Sequence, residues 1–273
     1  MGVRVYPELT VFALFGQYVL ARGGQIWLGS LIQAMSTFDI SEAAARSAIL
    51  RLKKKGAVRS QRLGRRTFYW LTDAGMNQLD VGGFRFSFSS SHSWDGRWTV
   101  VVYSIPEEHR ERRDALRYAL KWWGFGNLAP GTWISARPLL PETEREWREL
   151  GAWEYLDVFR SEHVGAGDLS GVVDRAYPQL SALAAGYQGY AARSEALLSR
   201  FEAGLLDDEA CFATRMRNLW EFWDIAQDDP ILPPVLLPQD WPRSKAESLS
   251  VEVQRVLFEP AERFFDTIYV TTA

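Results

Sequence analysis

Residues 41–70 read SEAAARSAILRLKKKGAVRSQRLGRRTFYW and hold nine Lys or Arg against one acid, Glu42. Ser41 stands where a helix wants its N-cap, since a hydroxyl there can accept from an otherwise unpaired first-turn amide. Ala45, Ala48, Ile49 and Leu52 then recur at i, i+3, i+4 and i+7, the spacing of one buried helical face. Gly56 ends that pattern as a C-terminal glycine does. Beyond it, VRSQR (58–62) and RRTFYWL (65–71) are strand-like runs that meet at Leu63-Gly64, a hairpin signal. The stretch therefore predicts a helix over Glu42–Lys55 followed by a β-hairpin.

Upstream, ELTVFALFGQYVLAR (8–22) places Leu9, Phe12, Ala13, Phe15, Val19 and Leu20 close to helical spacing, and Trp27–Met35 supplies a second short helical pattern. Three helices and a hairpin in this order make a winged helix-turn-helix, in which the third helix enters a major groove. The outward side of the third helix carries Arg46, Ser47, Arg51, Lys53 and Lys54, and the hairpin adds Arg59, Arg62, Arg65 and Arg66. A helix and wing of one sign, side by side, match the phosphates that flank a groove. Arginine can also donate two hydrogen bonds to a guanine edge, whereas lysine serves mainly as a point charge. The expected partner is duplex DNA, bound through Arg46, Ser47, Arg51, Lys53, Lys54, Arg62, Arg65 and Arg66.

The rest of the chain has the opposite sign. Residues 1–80 carry eleven Lys or Arg against five Asp or Glu, or +6, while residues 81–273 carry twenty against twenty-nine, or −9, for a total of −3. A polyanion is thus expected to meet one part of the chain only. At 273 residues and 47% apolar composition there is material for two or three cored domains. The apolar stretch Leu9–Leu20, broken by Gly16 and Gln17, is too short to span a bilayer, and no export signal is evident. With a single cysteine, Cys211, no internal disulfide is possible. A cytoplasmic protein without membrane attachment is the expectation.

Asp80–Gly83 and the serine-rich SFSSSHS (87–93) read as a boundary. After it come the strand RWTVVVYSI, the helix EEHRERRDALRYALKWWGFG, a strand near Gly131–Ala136, a helix over Glu142–Leu150 and a strand over Trp153–Phe159. Gly124-Phe125-Gly126 reads as a helix stop and turn. This order suggests a ferredoxin-like α+β domain. From about Asp168 the pattern turns helical, through Ala182–Arg200, Asp208–Ala226 and Arg243–Phe265, with DDPILPPVLLPQDWP interrupting the last two. The expected fold class is α+β. The expected domains are a winged helix over 1–80, a ferredoxin-like middle domain over 81–167 and a helical C-terminal domain over 168–273. Asp207-Asp208 and Asp228-Asp229 read as solvent-facing pairs, the latter able to cap or to meet Arg215 or Arg217.

Four motifs resemble one known family: GRRTFYWLT (64–72), WDGRWTVVVYSIP (94–106), WWGFGNLAPGTW (122–133) and DDPILPPVLLPQDWP (228–242). They are similar to the PaaX family, bacterial repressors of phenylacetic acid degradation, over about Glu8 to Phe265. The resemblance implies a homodimeric repressor with a winged helix, a middle domain resembling the small CRISPR adaptation nuclease, and a helical C-terminal domain. It also implies an operator duplex as partner and release by an aryl-CoA thioester, typically phenylacetyl-CoA. No cofactor is expected.

An enzyme is the alternative, a nucleic-acid-processing one that uses the nuclease-like middle domain. In the nuclease that this domain resembles, the first strand ends in a metal-binding aspartate. Here Ser104 stands at that point and the next acid is Glu107, and a hydroxyl is a weak substitute for a carboxylate around a hard cation. His92, His109 and His163 lack metal-ligand spacing, and Cys211 has no partner motif. No P-loop or dinucleotide fingerprint is present. No catalytic or metal residue is therefore assigned. Arg110, Arg113 and Arg117 line one side of the middle-domain helix, a solvated face or a CoA-phosphate contact, and no effector residue is assigned either.

Overall fold

The computed structural model describes residues 6–79, 94–165 and 168–270. The expected boundary at Asp80–Ser93, with His92, lies outside them. The chain forms two compact units: residues 1–87, 190–223 and 245–273 make one, and 88–189 with 224–244 make the other. The expected division at 80 and 167 is one of chain order, whereas each unit gathers stretches from either side of it.

In the first unit, α1 (Pro7–Leu14) continues through a π turn at Phe15–Val19 and a 3-10 turn at Leu20–Arg22. Then follow β1 (Gln25–Trp27), α2 (Leu28–Ser36) and α3 (Glu42–Lys54). The hairpin is β2 (Val58–Leu63) and β3 (Arg66–Leu71), and a helix α4 covers 73–79. The three helices, the hairpin and the N-cap at Ser41 stand where the sequence puts them. The short strand β1 differs, since its last residue falls where the second helical pattern begins. Trp27 has an extended backbone, and β1 pairs antiparallel with β3 to give the order β1-β3-β2.

The core of this unit draws on distant parts of the chain. Tyr18 packs against Phe212 and Phe265 at centroid distances of 5.1 and 4.8 Å, and Phe38 meets Trp220 edge-on at 4.8 Å. Phe212 and Trp220 belong to α9 (Asp208–Ala226) and Phe265 to α11 (Phe258–Ile268). Buried Arg215 donates to Tyr18 Oη at 2.7 Å and to Gln17 Oε1 at 2.9 Å. The helix expected over Arg243–Phe265 is two, α10 (Arg243–Val256) and α11. Pro260 accounts for the break: it lacks an N–H and its ring crowds the carbonyl four residues back.

The second unit is built on β4 (Arg97–Tyr103), α5 (Arg110–Trp122), β5 (Gly126–Ala129), β6 (Thr132–Ser135), α6 (Pro141–Glu149) and β7 (Leu156–Glu162). Antiparallel pairing gives the sheet order β5-β6-β4-β7, the ferredoxin-like arrangement. Val101, Leu116, Leu120, Trp133 and Trp147 form its core. Strand β5 begins inside the stretch expected to be a turn. Gly124 (φ 78) does end α5 as expected, but Gly126 already opens the strand. Helix α7 (Leu169–Ala176) follows in this unit, and then α8 (Leu180–Glu202), whose residues from Tyr190 onward belong to the first unit.

The acidic pair at 228–229 is divided. Asp228 is exposed as expected, but Asp229 is buried. It accepts from Tyr187 Oη at 2.8 Å and Ile231 N at 2.7 Å and pairs with buried Arg243 at 3.4 Å. Neither expected arginine meets it: Arg215 serves Tyr18, and Arg217 pairs with Asp39 at 3.2 Å. A buried carboxylate needs donors from all sides, and the tight turn at Ile231 (φ 54) supplies a backbone one.

Candidate nucleic-acid interface

Helix α3 is set from both ends and from one side. Ser41 Oγ accepts from Ala44 N at 3.2 Å, and Gly56 takes φ 74 just past its end. Ala45, Ala48, Ile49 and Leu52 are buried. That leaves Arg46, Ser47, Arg51, Lys53 and Lys54 exposed, all on α3. Arg46 donates to Glu42 at 2.8 Å, and Lys53 Nζ donates to Ser60 Oγ of β2 at 2.8 Å, tying the helix to the wing.

A carboxylate that sequence reasoning passed over sits among these cations. Glu8, in the first turn of α1, accepts from Arg51 at 2.5 Å and from Lys55 at 2.7 Å, while Arg51 also donates to Ser47 Oγ at 2.7 Å. Hydrogen bonds from Lys55 and Arg51 hold its carboxyl below the usual carboxylate range. One face of α3 is thus held back by an internal anion. The signal was not periodic, because Glu8 lies 43 residues from Arg51.

The wing presents the second cationic group. Leu63 pairs with Arg66 across a two-residue loop whose first residue, Gly64, has φ 61, the sign that a II′-type hairpin turn requires there. Arg62, Arg65 and Arg66 are all exposed, and Arg62 donates to Gly64 O at 3.2 Å. The Arg66 guanidinium lies 5.0 Å from the Trp27 ring, and Arg59 lies 5.5 Å from Trp70. Trp27 in turn lies on Gly29, where an added Cβ would come within 2.3 Å of the indole. These indoles hold two wing arginines in place, a role the sequence did not mark. Leu50, 60% exposed on α3, is the other residue missed; it falls one position off the core spacing.

In the second unit, Ser104 is exposed at the end of β4 and its N–H donates to Tyr155 O at 3.2 Å. Glu107 pairs with Arg113 at 2.8 Å, and Arg110 with Asp114 at 3.7 Å. Among the described residues, no group of three or more His, Cys, Asp or Glu side chains is placed to hold a metal ion. Cys211 is buried, and burial pushes its thiol pKa up. Among the described residues, no helix is long and apolar enough to cross a membrane.

The fold and this face define a winged-helix protein that also carries a ferredoxin-like domain. Residues 7–75 match the description "PaaX-like protein", 91–173 the "PaaX protein central Cas2-like domain" and 179–267 the "PaaX-like protein C-terminal domain". The Escherichia coli (strain K12) protein described as "Transcriptional repressor PaaX" is 27% identical over 261 residues, 93% of this chain and 82% of the relative. An uncharacterized Mycobacterium tuberculosis protein, Rv0674, shares the fold at a TM-score of 0.54 and 20% identity, over 88% of this chain and 89% of its own. The chain belongs to the PaaX family.

Proposed function

We propose that this protein is a transcriptional repressor of an aromatic-acid (phenylacetate) catabolic operon, acting in the cytoplasm as a homodimer released from operator DNA by an aryl-CoA thioester such as phenylacetyl-CoA. The observation that carries the DNA-binding part is the joint exposure of Arg46, Ser47, Arg51, Lys53 and Lys54 on α3 with Arg62, Arg65 and Arg66 on the wing. A capped helix whose opposite side is buried has the shape for a major groove, and the wing cations suit the adjoining backbone. The E. coli relative's description as a repressor supports the direction of regulation, and the family resemblance supplies the effector class. Nuclease activity is disfavoured by Ser104 at the end of β4 and by the engagement of Glu107 with Arg113. Mobility-shift titrations on the duplex upstream of the protein's own gene cluster and on a scrambled duplex test the reading. Preference for the first, lost on addition of phenylacetyl-CoA, is expected; equal binding to both would defeat the repressor assignment. Incubation with DNA or RNA and Mg²⁺ or Mn²⁺ should leave the nucleic acid intact.

A further inference from the structure

The second unit contains a cleft of about 590 Å³, within the size range of small-ligand sites. Two signature stretches just over a hundred residues apart in the chain, WWGFGN and DDP, converge on it. Gly124 lets these two stretches come close, and Gly126 lets β5 approach the end of α7. A Cβ on Gly124 would lie 2.7 Å from Pro230 O, and one on Gly126 would lie 2.6 Å from Ala176 O. Those close approaches account for the glycines but not for the side chains around them.

The wall is aromatic, from Trp122, Phe125 and Trp133. Trp133 is buried, and its Nε1 has no hydrogen-bond partner among the described residues. At the mouth stand Lys121 and Arg175, both exposed, and Tyr118, a residue 71% exposed one helical turn from Trp122. An aromatic ring that exposed on an otherwise charged helix gains nothing from water. One carboxylate, Asp228, also borders the cleft, so the cations outnumber the anion two to one.

An apolar slot with cations at its mouth suits a ligand with a flat ring at one end and negative charge at the other. We propose that this cleft binds an anionic aryl-acyl compound, a carboxylate or a CoA thioester, with the ring against Trp122, Phe125 and Trp133 and the anionic end at Lys121 and Arg175. The proposal rests on the ligand-released repressor reading and gives that ligand a place. Arg110, Arg113 and Arg117 do not border the cleft, so the CoA-phosphate contact considered for them is not part of it. Gln227 and Asp228, which do, directly follow α9, the helix that carries Phe212, Met216 and Trp220 of the winged-helix core.

Calorimetry on the full chain tests this with phenylacetyl-CoA, phenylacetate and free CoA as separate probes. Besides the unaltered protein it uses Lys121→Ala/Arg175→Ala, Tyr118→Ala, and Arg110→Ala/Arg117→Ala as a charge-matched control on the same helix. Thermal unfolding of each variant shows that it is folded. The aryl thioester should bind the unaltered protein and the control alike, and bind Lys121→Ala/Arg175→Ala at least tenfold more weakly. Tyr118→Ala should weaken phenylacetyl-CoA several-fold and free CoA little. Phenylacetate binding with the same dependence on Lys121 and Arg175 would identify the free acid as the source and uphold the site. Undiminished phenylacetyl-CoA binding by both cleft variants would overturn the site while leaving the effector reading intact. Absence of binding by any probe would overturn both, and operator binding in the same preparation would show that the DNA-binding reading survives.

Discussion

Glu8 shows how a single carboxylate can set the availability of a cationic face. It holds Arg51 and Lys55 from the first turn of α1, and both cations must turn from it to reach a phosphate. Glu8→Gln removes the competing charge, so we expect tighter binding to any duplex at low salt. The dependence of affinity on salt should also steepen, by roughly 0.9 in log–log slope for each further phosphate neutralised. Mobility shifts across a salt series measure both, and an unchanged slope would show that neither cation is used. The same clamp predicts a pH effect on stability. A carboxyl held below its ordinary value contributes stability that is present above that value, about 4.3 for glutamate, and is lost as pH falls through the depressed one. The clamp is partly exposed, so its worth is about 1 kcal/mol or less, and the difference between native and Glu8→Gln proteins should vanish in acid. Denaturant titrations between neutral pH and pH 3 check this. Arg46 and Arg65 should separate cleanly by role. Arg46→Ala, on α3, should cost about 1–3 kcal/mol on one operator base pair and relax preference there if it contacts a base edge. Arg65→Ala, at the wing tip, should weaken all duplexes alike.

At the scale of elements, the sequence is most readable where one rule acts without interference. Helix α3 obeys three local rules at once: a serine cap, a four-residue apolar face and a closing glycine. Burying Ile49 and Leu52 is worth about 1.5–3 kcal/mol each, enough to fix which side faces outward and therefore which cations are displayed. Strand β1 is not legible, because a three-residue strand has no measurable period and exists only through its pairing with β3. Strand β5 is masked by glycines that look like punctuation but are required by close approach to Ala176 and Pro230. Asp229 defies the expectation of solvent exposure because burial is decided by tertiary neighbours, here Tyr187 and Arg243, and not by the prolines beside it. The cleft is invisible in the sequence for the same reason: its lining comes from motifs far apart in the chain. The Asp229 turn also carries a stability prediction. Asp229→Ala leaves the Arg243 guanidinium buried without this counter-ion and the Ile231 amide without its acceptor. A loss of about 3–5 kcal/mol is expected by chemical denaturation. A loss below about 1 kcal/mol would mean that water or another group replaces the carboxylate.

For the molecule as a whole, the uneven charge argues for a division of labour. The first 80 residues are net positive and the remainder net negative, so the remainder has little electrostatic reason to hold DNA itself. Its proposed tasks are pairing two copies and sensing a ligand. If two winged helices grip two half-sites, the salt slope for the operator should be about double that for one half-site, and two copies should bind each duplex. Ligand release then has a strict thermodynamic form. A ligand that binds the free and DNA-bound forms equally well shifts nothing, however tight it is. A tenfold weakening of operator binding requires about 1.4 kcal/mol of coupling, and linkage demands the same factor in reverse. The operator complex should therefore bind phenylacetyl-CoA more weakly than the free protein does, by the same ratio in which saturating phenylacetyl-CoA weakens operator binding. Calorimetry of the thioester with free protein and with preformed complex, set against mobility shifts with and without thioester, closes the cycle. Two unequal ratios would show that another equilibrium, such as dissociation of the dimer, takes part. Two ratios of one would mean that the ligand binds without governing DNA, and that release depends on some other signal.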